Sequence, residues 1–396
     1  MKIAYVTSQY PYGTNEAFLA AELATLARYA RDIVVVPVRP RSREPLQETF
    51  GLDVDLLPPF SSHVALLALG EVLRSPAEVM RMLRAIVSRR YGPRAKLKNL
   101  ALFPKALAVT AVLRRRRVDH IHAHWLSTPS TVAYVASELT GIPWSCTAHR
   151  FDIFEDNLLR EKAQSARFIR TISERNREIV VQKAGDALNG RCLVLHLGVS
   201  VPPAAASVRG EGQLRILCPA HFVPVKGHKY LLDALALLRE QRIPFECDLA
   251  GDGPLRRQIE TRIRELRLER FVHLRGTIDH DRLCADLANG RYDVAVLAST
   301  EEGNEFEGIP VSLMEAMAAG VCCVATRTGS ITELIDGDCS HLIAQRDPAA
   351  LANALTALYR DGRARAETGR AARRRIEGAF DASVTSRQLF DLMSAP

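Results

Sequence analysis

Residues 293–320 contain, in direct succession, an apolar run, an acidic loop and the start of a helix. The run from Asp293 to Ala298, D-V-A-V-L-A, is typical of a buried strand. Pro310 suits the first helical position, because it has no N–H to lose and its φ angle is preset. Gly320 suits the helix C-cap. The segment therefore predicts strand, loop and helix.

Two carboxylates flank the predicted helix start. Glu307 lies in the loop and Glu315 lies inside the helix, with seven residues between them. In an α/β sheet, ligands bind where the carboxyl end of a strand leads into a helix, and the free N–H groups there favour an anion. One acid would bind a sugar and the other a ribose, with a diphosphate between them. The plain alternative is a solvated acidic loop followed by an ordinary helix.

The segment from Glu307 to Gly320, E-G-I-P-V-S-L-M-E-A-M-A-A-G, resembles the Glu-x7-Glu motif of the retaining glycosyltransferases of the family 4 type (group 1). The following G-S-I-T-E-L-I, residues 329–335, is similar to that family's next segment. The resemblance implies an α/β protein with the GT-B fold, in which two Rossmann-like domains face each other across a cleft. It also implies a nucleotide-sugar substrate, UDP- or GDP-linked, and no separate cofactor.

A length of 396 residues is most naturally divided between two domains. The resemblance implies an acceptor-binding domain over residues 1–199 and a nucleotide-sugar-binding domain over residues 213–378. Residues 200–212 are rich in Pro, Gly and Ala and are the expected linker. A helix within residues 379–396 is expected to cross back to the first domain.

The cysteines and the N-terminal residues indicate the cellular compartment of the protein. The eight cysteines include no C-x-x-C and no Cys/His cluster with zinc spacing, which favours a reducing compartment. The chain starts with a short strand pattern, and the apolar run from Val64 to Leu69 is far too short to span a bilayer. We therefore expect a cytoplasmic protein whose contact with a membrane, at its inner face, is peripheral.

The net charge of +8 is unevenly placed, since no acidic residue lies between Glu78 and Asp119. We predict helices over residues 61–117, in which basic residues alternate with Leu, Met, Ile, Phe and Val. This composition predicts binding to an anionic membrane surface through residues 81–117. Nucleic acid is the rival partner, which we do not expect, and a solvated helix face is the plain alternative. The basic residues of this stretch are Arg81, Arg84, Arg89, Arg90, Arg94, Lys96, Lys98, Lys105 and Arg114 to Arg117.

The loop after the first strand contains Gly13 and Glu16. In the resembled family this loop faces the cleft near the diphosphate and the acceptor. Many members have two glycines there, whereas this chain has only Gly13. Glu16 would either meet the acceptor or cap the helix predicted over Ala17 to Tyr29.

His122 and His124 alternate near the end of a predicted strand, so both point to the same side. They are either core histidines or, by similarity to exopolysaccharide glycosyltransferases of the colanic-acid type, residues at the edge of the acceptor cleft. A metal site is the third interpretation. We expect no metal, because Asp119 is the only carboxylate nearby and no Cys partner lies close in sequence.

His149 ends the predicted strand Trp144 to Ala148, where side chains reach a ligand crevice. A histidine there would donate a hydrogen bond to a sugar hydroxyl or stabilise charge in the transition state. The resemblance implies contact with the transferred sugar. Arg150 and Asp152 would orient His149 or meet the acceptor. A purely structural role is the alternative.

Lys226 and Gly227 come immediately before a predicted helix that begins at His228. A helix start, a glycine and an ammonium group together suit donor phosphates. In the resembled family an arginine stands five residues before this lysine, and His221 occupies that position here. A neutral histidine binds phosphate more weakly than an arginine does.

The resemblance places further donor contacts in three loops. Residues at Gly251 and at the R-G-T-I segment would line the nucleotide pocket, with the base read largely by backbone groups. The loop of Glu307 would add contacts at its helix start. These donor-binding candidates are Gly251, Arg275, Gly276, Thr277, Ile278, Gly308, Ile309 and Pro310.

The resemblance implies a metal-independent transfer in which Glu307, His149 and Lys226 are the catalytic residues. Lys226 would stabilise the leaving diphosphate, and Glu307 the cationic sugar. The acceptor would be a lipid-linked saccharide of exopolysaccharide or cell-surface polysaccharide synthesis. The alternatives are a nucleotide-sugar epimerase on the same fold and a non-catalytic basic protein that binds membranes or anions. The sequence leaves the sugar, the base, the linkage and the oligomeric state open.

Overall fold

The structure is a computed structural model, and it describes residues 1–13, 16–58, 61–203 and 212–395. The chain divides into two compact units. The N-terminal unit comprises Met1–Leu197 and Ser383–Pro396, and the C-terminal unit comprises Gly198–Ala382. Most of the expected linker, residues 204–211, lies outside the described residues.

The N-terminal unit is built on a parallel sheet. Its strands are β1 (Lys2–Thr7), β2 (Asp32–Pro37), β3 (Asp53–Val54), β4 (His120–His124), β5 (Trp144–Ala148), β6 (Ile169–Thr171) and β7 (Cys192–Val194). They lie in the order β3-β2-β1-β4-β5-β6-β7. Its first helices are α1 (Leu19–Leu26), α2 (Ser62–Arg74), α3 (Pro76–Ile86), α4 (Pro93–Arg116), α5 (Thr128–Thr140), α6 (Leu159–Ser165) and α7 (Glu174–Ala184). The prediction of helices over residues 61–117 is confirmed.

The C-terminal unit is built on a second parallel sheet. Its strands are β8 (Leu214–Pro219), β9 (Phe245–Ala250), β10 (Val272–Gly276), β11 (Val294–Leu297), β12 (Cys322–Thr326) and β13 (His341–Ile343). They lie in the order β10-β9-β8-β11-β12-β13. Its helices are α8 (His228–Glu240), α9 (Arg256–Glu265), α10 (His280–Ala288), α11 (Val311–Ala318), α12 (Ile331–Leu334), α13 (Pro348–Arg360) and α14 (Gly362–Ala379). The last helix, α15 (Ala382–Ser394), lies in the N-terminal unit from Ser383 onward.

Both sheets have the doubly wound order in which the chain reverses direction next to the first strand of each unit. In the N-terminal unit, alternate residues of β1 enter different cores. Ala4 and Val6 pack with α2 to α5, whereas Ile3 and Tyr5 pack with α1 and α15. A parallel sheet is stable only when both faces are covered in this way. Its free carboxyl edge is therefore where side chains remain available for ligands.

The segment around Glu307 folds as strand, loop and helix. β11 covers Val294–Leu297, and α11 begins at Val311. Pro310 is therefore the N-cap residue rather than the first helical residue, a shift of one position. Gly320 adopts a φ of 73° just after α11, a conformation that glycine tolerates best.

Candidate active site

Lys226 and Glu307 form an ion pair at the carboxyl edge of the C-terminal sheet. Nζ of Lys226 lies 2.6 Å from Oε2 of Glu307. The same oxygen accepts a hydrogen bond of 3.1 Å from Oγ of Ser299. Lys226 follows β8 and Ser299 follows β11, and these two strands are neighbours in the sheet. A cation and an anion are thus held side by side where ligands of parallel sheets bind.

The loop after β12 holds the backbone of Glu307. The N–H of Ser330 donates a hydrogen bond of 3.0 Å to the Glu307 carbonyl. Gly329 adopts a φ of 53°, and a Cβ atom there would lie 1.8 Å from the same carbonyl oxygen. Only glycine allows this approach. Gly329 and Ser330, the G-S pair of G-S-I-T-E-L-I, therefore position Glu307. Sequence analysis did not identify this role of the pair.

Gly227 and Gly251 allow neighbouring loops to touch. A Cβ atom on Gly227, whose φ is 64°, would lie 1.9 Å from the Ala298 carbonyl oxygen. A Cβ atom on Gly251 would lie 2.1 Å from the Ala220 carbonyl oxygen. Close packing of the loops thus requires glycine at both positions, in addition to the expected approach of phosphate. Gly308 differs, because the position of its Cβ has no atom within 4 Å and is open to a ligand.

His221 is exposed and forms one hydrogen bond that fixes its tautomer. Its Nδ1 lies 3.2 Å from the carbonyl oxygen of Asp252. A carbonyl only accepts, so Nδ1 must carry the proton. In the neutral ring, Nε2 is then an acceptor and has no hydrogen to donate to a phosphate. The neutral histidine therefore lacks the donor that an arginine would supply at this position.

The loops expected to line the nucleotide pocket lie next to each other. Gly251 and Gly276 form an antiparallel bridge, and Gly276 adopts a φ of 67°. Nε of Arg275 lies 2.9 Å from Oδ1 of Asp248, so this side chain is paired within the unit. The expectation that backbone groups of this segment, through Thr277 and Ile278, meet the base stays a prediction.

Glu315 contacts α10 through His280. Its Oε1 lies 2.7 Å from Nε2 of His280, and Sγ of Cys284 lies 3.6 Å from the same nitrogen. Hydrogen bonds with Cys284 and Glu315 raise the pKa of His280. Sequence analysis did not group these residues, because Glu315 is distant from α10 along the chain.

The N-terminal unit contains a buried chain of hydrogen-bonding groups that ends at His149. Glu22 pairs with Arg170, with 2.6 Å between Oε2 and Nη1. The hydroxyl of Tyr5 donates to the other oxygen of Glu22 and lies 2.8 Å from Nδ1 of His124. Nε2 of His124 lies 2.6 Å from Nε2 of His149. Residues from five separate chain segments are therefore joined in one line.

The protons of this chain can be assigned in sequence. The Glu22 carboxylate only accepts, so Tyr5 gives it the single hydroxyl proton. The Tyr5 oxygen must then accept from Nδ1–H of His124. Burial lowers the pKa of His124 well below the usual value and that of His149 to about 3, so both rings are neutral. His149 therefore donates from Nε2 to His124 and keeps Nδ1 as its acceptor. This corrects the expectation that the ring of His149 donates to a sugar hydroxyl.

His122 and His124 lie in the core and are fully buried. The ring of His122 makes hydrogen bonds to Ser145 (2.8 Å) and Thr147 (3.0 Å) on β5. The two rings do share one side of β4, where both pack near Tyr5. Because both rings are fully buried, they cannot make the direct contact with an acceptor that had been expected. They lie further inside the core than His149 does.

Glu16 holds the loop after β1 rather than the helix. Its carboxylate accepts from the backbone N–H groups of Gln9 (2.5 Å) and Tyr10 (2.7 Å). It also accepts from the indole N–H of Trp125, whose ring lies 4.4 Å from that of His149. Helix α1 begins at Leu19 without a side-chain cap, so the prediction that Glu16 caps it is wrong. The loop's shape and Trp125 thus depend on Glu16.

The loop after β5 is fixed by Asp152, which is 5% exposed. Its two oxygens accept from the backbone N–H groups of His149 (2.8 Å) and Leu126 (2.5 Å). Asp152 therefore orients the His149 loop, one of the two roles expected for it.

The guanidinium of Arg150 lies 4.0 Å from the ring centroid of Phe151, and Phe151 is 70% exposed. Phe151 is a surface aromatic that the sequence analysis did not select.

Gly13 lies in the described part of the loop after β1. Its carbonyl accepts a hydrogen bond from the side-chain amide of Gln47. The next two residues, Thr14 and Asn15, lie outside the described residues. The acceptor contact expected at Gly13 stays a prediction.

The basic stretch is only partly a free cationic surface. Nζ of Lys105 is buried and donates to the carbonyl oxygens of Pro37 (2.7 Å) and Val38 (2.8 Å), and burial lowers its pKa to about 7. Arg114 pairs with Glu71, and Arg116 with Asp53 and Asp55. The expectation that Lys105, Arg114 and Arg116 bind an anionic membrane surface is therefore wrong, because these side chains stabilise the fold instead. The exposed cations of the stretch include Arg84, Arg89, Arg90, Arg94, Arg115 and Arg117.

Apolar side chains are exposed in the same region. Seven of the twelve exposed large hydrophobic side chains in the described parts of the chain lie between residues 66 and 100. Leu66, Leu69 and Leu73 recur at helical spacing on one side of α2, opposite its buried residues. In the described ranges, every helix is too short or too polar to cross a bilayer.

A comparison with protein families supports the interpretation of the C-terminal unit. Residues 204–375 match the family described as glycosyl transferases group 1. The chain is 35% identical over 185 residues to the putative colanic acid biosynthesis glycosyltransferase WcaL of Escherichia coli K12, 46% of this chain and 45% of that protein. It is 34% identical over 182 residues to the amylovoran biosynthesis glycosyltransferase AmsK of Erwinia amylovora, 46% of this chain and 44% of that protein. The matched region thus spans less than half of each relative.

Solved structures resemble the chain over its whole length. HepE of Anabaena, solved in complex with UDP, has a TM-score of 0.71 at 17% identity and covers 100% of both chains. The sucrose-phosphate synthase of Thermosynechococcus elongatus has a TM-score of 0.70 at 18% identity, covering 99% of this chain and 98% of that one. At this identity the likeness shows the fold, and the fold is GT-B.

Proposed function

We propose, from the premise that residues 204–375 are a glycosyl transferases group 1 domain, that the chain transfers a sugar from a nucleotide-sugar to a saccharide acceptor. The observation that carries this proposal is the Lys226–Glu307 ion pair, at 2.6 Å, on the carboxyl edge of the C-terminal sheet. A phosphate-binding cation beside a sugar-stabilising anion is what departure of a nucleoside diphosphate requires. We propose UDP as the nucleotide because HepE was solved with UDP.

The donor would lie across the open edge formed by the loops of Lys226, Glu307 and Gly251. The free N–H groups at the starts of α8 and α11 favour its diphosphate. Open space next to Gly308 lets the phosphate approach the backbone. Glu315 in α11 would bind the ribose hydroxyls, and the loop at Gly276 would meet the base.

The reaction would retain the anomeric configuration and need no metal. The bond between the sugar's C1 and the leaving phosphate oxygen breaks, and Lys226 stabilises the negative charge that develops on the diphosphate. Glu307 stabilises the cationic sugar. The acceptor hydroxyl forms the new bond to C1 on the same face. Its proton passes to the departing phosphate oxygen, so no covalent intermediate on the enzyme is required.

His149 would accept a hydrogen bond from a sugar hydroxyl through Nδ1. Its Nε2–H is already donated to His124, and Trp125 packs against the ring. The ring is therefore preorganised, which favours transition-state binding. Arg150 and Phe151 lie in the same loop and would contact the acceptor.

We further propose that the acceptor is a lipid-linked saccharide of exopolysaccharide synthesis, met at the inner face of the membrane. The named functions of WcaL and AmsK support the pathway class. Leu66, Leu69 and Leu73 on α2 support membrane contact, since an exposed apolar row beside cations suits an anionic interface.

The test is transfer from a panel of UDP-, GDP- and ADP-sugars by the full chain, with a chelator present and with and without membrane lipid extract. NMR reads the anomeric configuration of the product. We expect one donor to be consumed, with retained configuration and dependence on the lipid fraction. Consumption without any acceptor, with a changed sugar on the nucleotide, would indicate an epimerase instead.

A further inference from the structure

Three side chains of metal-binding type converge between α10 and α11. His280 and Cys284 are one helical turn apart on α10, and Glu315 extends from α11. One ligand atom from each lies within 4.8 Å of the others. The three residues belong to the C-terminal unit, so the cluster does not depend on the other unit.

The distance between the sulfur and nitrogen ligand atoms suits zinc. Tetrahedral zinc with ordinary Zn–S and Zn–N bonds puts a sulfur and a nitrogen ligand about 3.5 Å apart, and two lighter ligands about 3.3 Å apart. Sγ of Cys284 and Nε2 of His280 are 3.6 Å apart. Nε2 of His280 and Oε1 of Glu315 are 2.7 Å apart, closer than two zinc ligands, so a side chain would have to rotate to admit an ion between them.

The chemistry of the ligands selects the ion. A thiolate, an imidazole and a carboxylate together suit zinc, whereas magnesium and calcium prefer oxygen alone. The cluster is also accessible, since the side chain of His280 is 45% exposed. Of the eight cysteines, all of them described, Cys284 alone is not buried. One coordination position remains open to water.

We propose that His280, Cys284 and Glu315 bind a zinc ion, with water as the fourth ligand, and that the ion withholds Glu315 from a donor. On binding, the thiol of Cys284 and the ring of His280 each release a proton to solvent. The competition half of this proposal rests on the proposed function, in which Glu315 binds the ribose. Zinc would then inhibit an enzyme whose chemistry needs no metal.

The metal site is tested on the metal-free full chain with cobalt and zinc. A thiolate–cobalt charge-transfer band reports the sulfur ligand, and competition with a coloured chelator gives the zinc affinity. We expect Cys284→Ser and His280→Gln to weaken zinc binding at least about 100-fold, since even outer-shell changes cost about 10–100-fold. His63→Gln, which removes an exposed histidine of the other unit, is the matched control and should have no effect.

An unchanged zinc affinity in Cys284→Ser, or a cobalt complex without the thiolate band, overturns the site. Competition is tested by donor turnover with and without zinc. Zinc should inhibit the wild type, whereas Cys284→Ser should turn over normally and resist zinc. Cys284-dependent binding without inhibition overturns the competition half. If no donor is turned over by any variant, the proposed function fails and the competition half falls with it, while the cobalt spectrum still decides the metal site.

Discussion

The ammonium group of Lys226 lies 2.6 Å from the carboxylate of Glu307, and both side chains are largely shielded from solvent, at 20% and 12% exposure. The loops that carry them follow adjacent strands, so the sheet sets their separation. The two charges balance each other when no substrate is present. A bound diphosphate would give Lys226 a second anionic partner while Glu307 faces the sugar. In the proposed reaction, both charges would therefore be in place before bond breaking begins, at no further reorganisation cost.

The weak point of the proposed phosphate site is His221. We predict that His221→Arg lowers the KM for the donor about tenfold, since a charge-assisted hydrogen bond contributes about 1.5–3 kcal/mol and part is lost to ordering. Initial rates against donor concentration measure the change. His273→Arg adds the same charge elsewhere in the C-terminal unit and serves as control. Equal KM values for the two variants would contradict the assignment of His221 to the phosphate site.

The buried chain from Glu22 to His149 predicts a tautomer. Nitrogen NMR of the ring should show His149 protonated at Nε2 and His124 at Nδ1. Tyr5→Phe removes the hydroxyl between His124 and Glu22. Glu22 keeps Arg170, but Nδ1–H of His124 loses its acceptor, at a cost of about 1–3 kcal/mol in the free energy of unfolding. The substitution should also mix the His149 tautomers, which Tyr134→Phe, another tyrosine of the same unit, should not do. Protonation of His149 at Nδ1 in the wild type would refute the assigned direction.

Buried neutral histidines make the stability of the N-terminal unit depend on pH. Burial lowers the pKa of His120 and of His149 to about 3, whereas an unfolded histidine has a pKa of about 6.5. Because the folded values are lower, this stability is complete above the unfolded pKa. It is lost as pH falls from about 6.5 towards 3, by up to about 1.4 kcal/mol per pH unit and histidine.

One buried acid opposes this effect, since burial raises the pKa of Asp152 to about 7, so that it adds stability as pH falls from there. It offsets one histidine only. We therefore predict that urea unfolding shows stability falling between about pH 6.5 and 5. His120→Gln should reduce the slope, and His63→Gln, an exposed site, should not. Constant stability across this range would contradict the burial of neutral histidines.

Exposed leucines on α2 predict how the chain would bind the membrane surface that we propose. Leu69→Glu should weaken binding to vesicles that contain anionic lipid at least about tenfold, because burial of a leucine contributes about 1.5–3 kcal/mol. Leu46→Glu is the matched control, since the two side chains are 54% and 55% exposed. Vesicle co-sedimentation at fixed salt gives the affinities. Equal losses in both variants would indicate that charge alone, and not α2, governs the binding.

Sequence alone predicted those parts of the site that lie within one segment. The strand, loop and helix around Glu307 follow from an apolar run, a proline and a glycine. The structure differs from the prediction by one residue at each boundary, since β11 covers Val294–Leu297 and the caps of α11 are Pro310 and Ala319. The sequence also indicated which glycines matter, but it did not show why glycine is required at those positions. Gly329 is required because its loop touches the Glu307 carbonyl, and that contact exists only once the chain has folded.

Contacts between distant segments were not predictable from sequence. Arg170 and Glu22 are separated by 148 positions, yet their ion pair sets the protonation of the chain that reaches His149. Lys105 looked like one cation among many, but Pro37 at the end of β2 and Val38 after it supply two carbonyl oxygens to its ammonium group. In each case a charged residue inside an otherwise apolar pattern was the available signal. Its partner could be identified only from the structure.

We propose that Glu307 stabilises the transferred sugar, and one pair of variants tests this role most directly. Glu307→Gln keeps the shape of the side chain and removes its charge, and Glu305→Gln makes the same change at an exposed position of the same loop. We predict that Glu307→Gln lowers kcat about 10²–10³-fold with the KM for the donor little changed, as expected when charge stabilisation of a transition state is lost. Glu305→Gln should retain activity. Full transfer by Glu307→Gln, or an equal loss in both variants, would contradict the account.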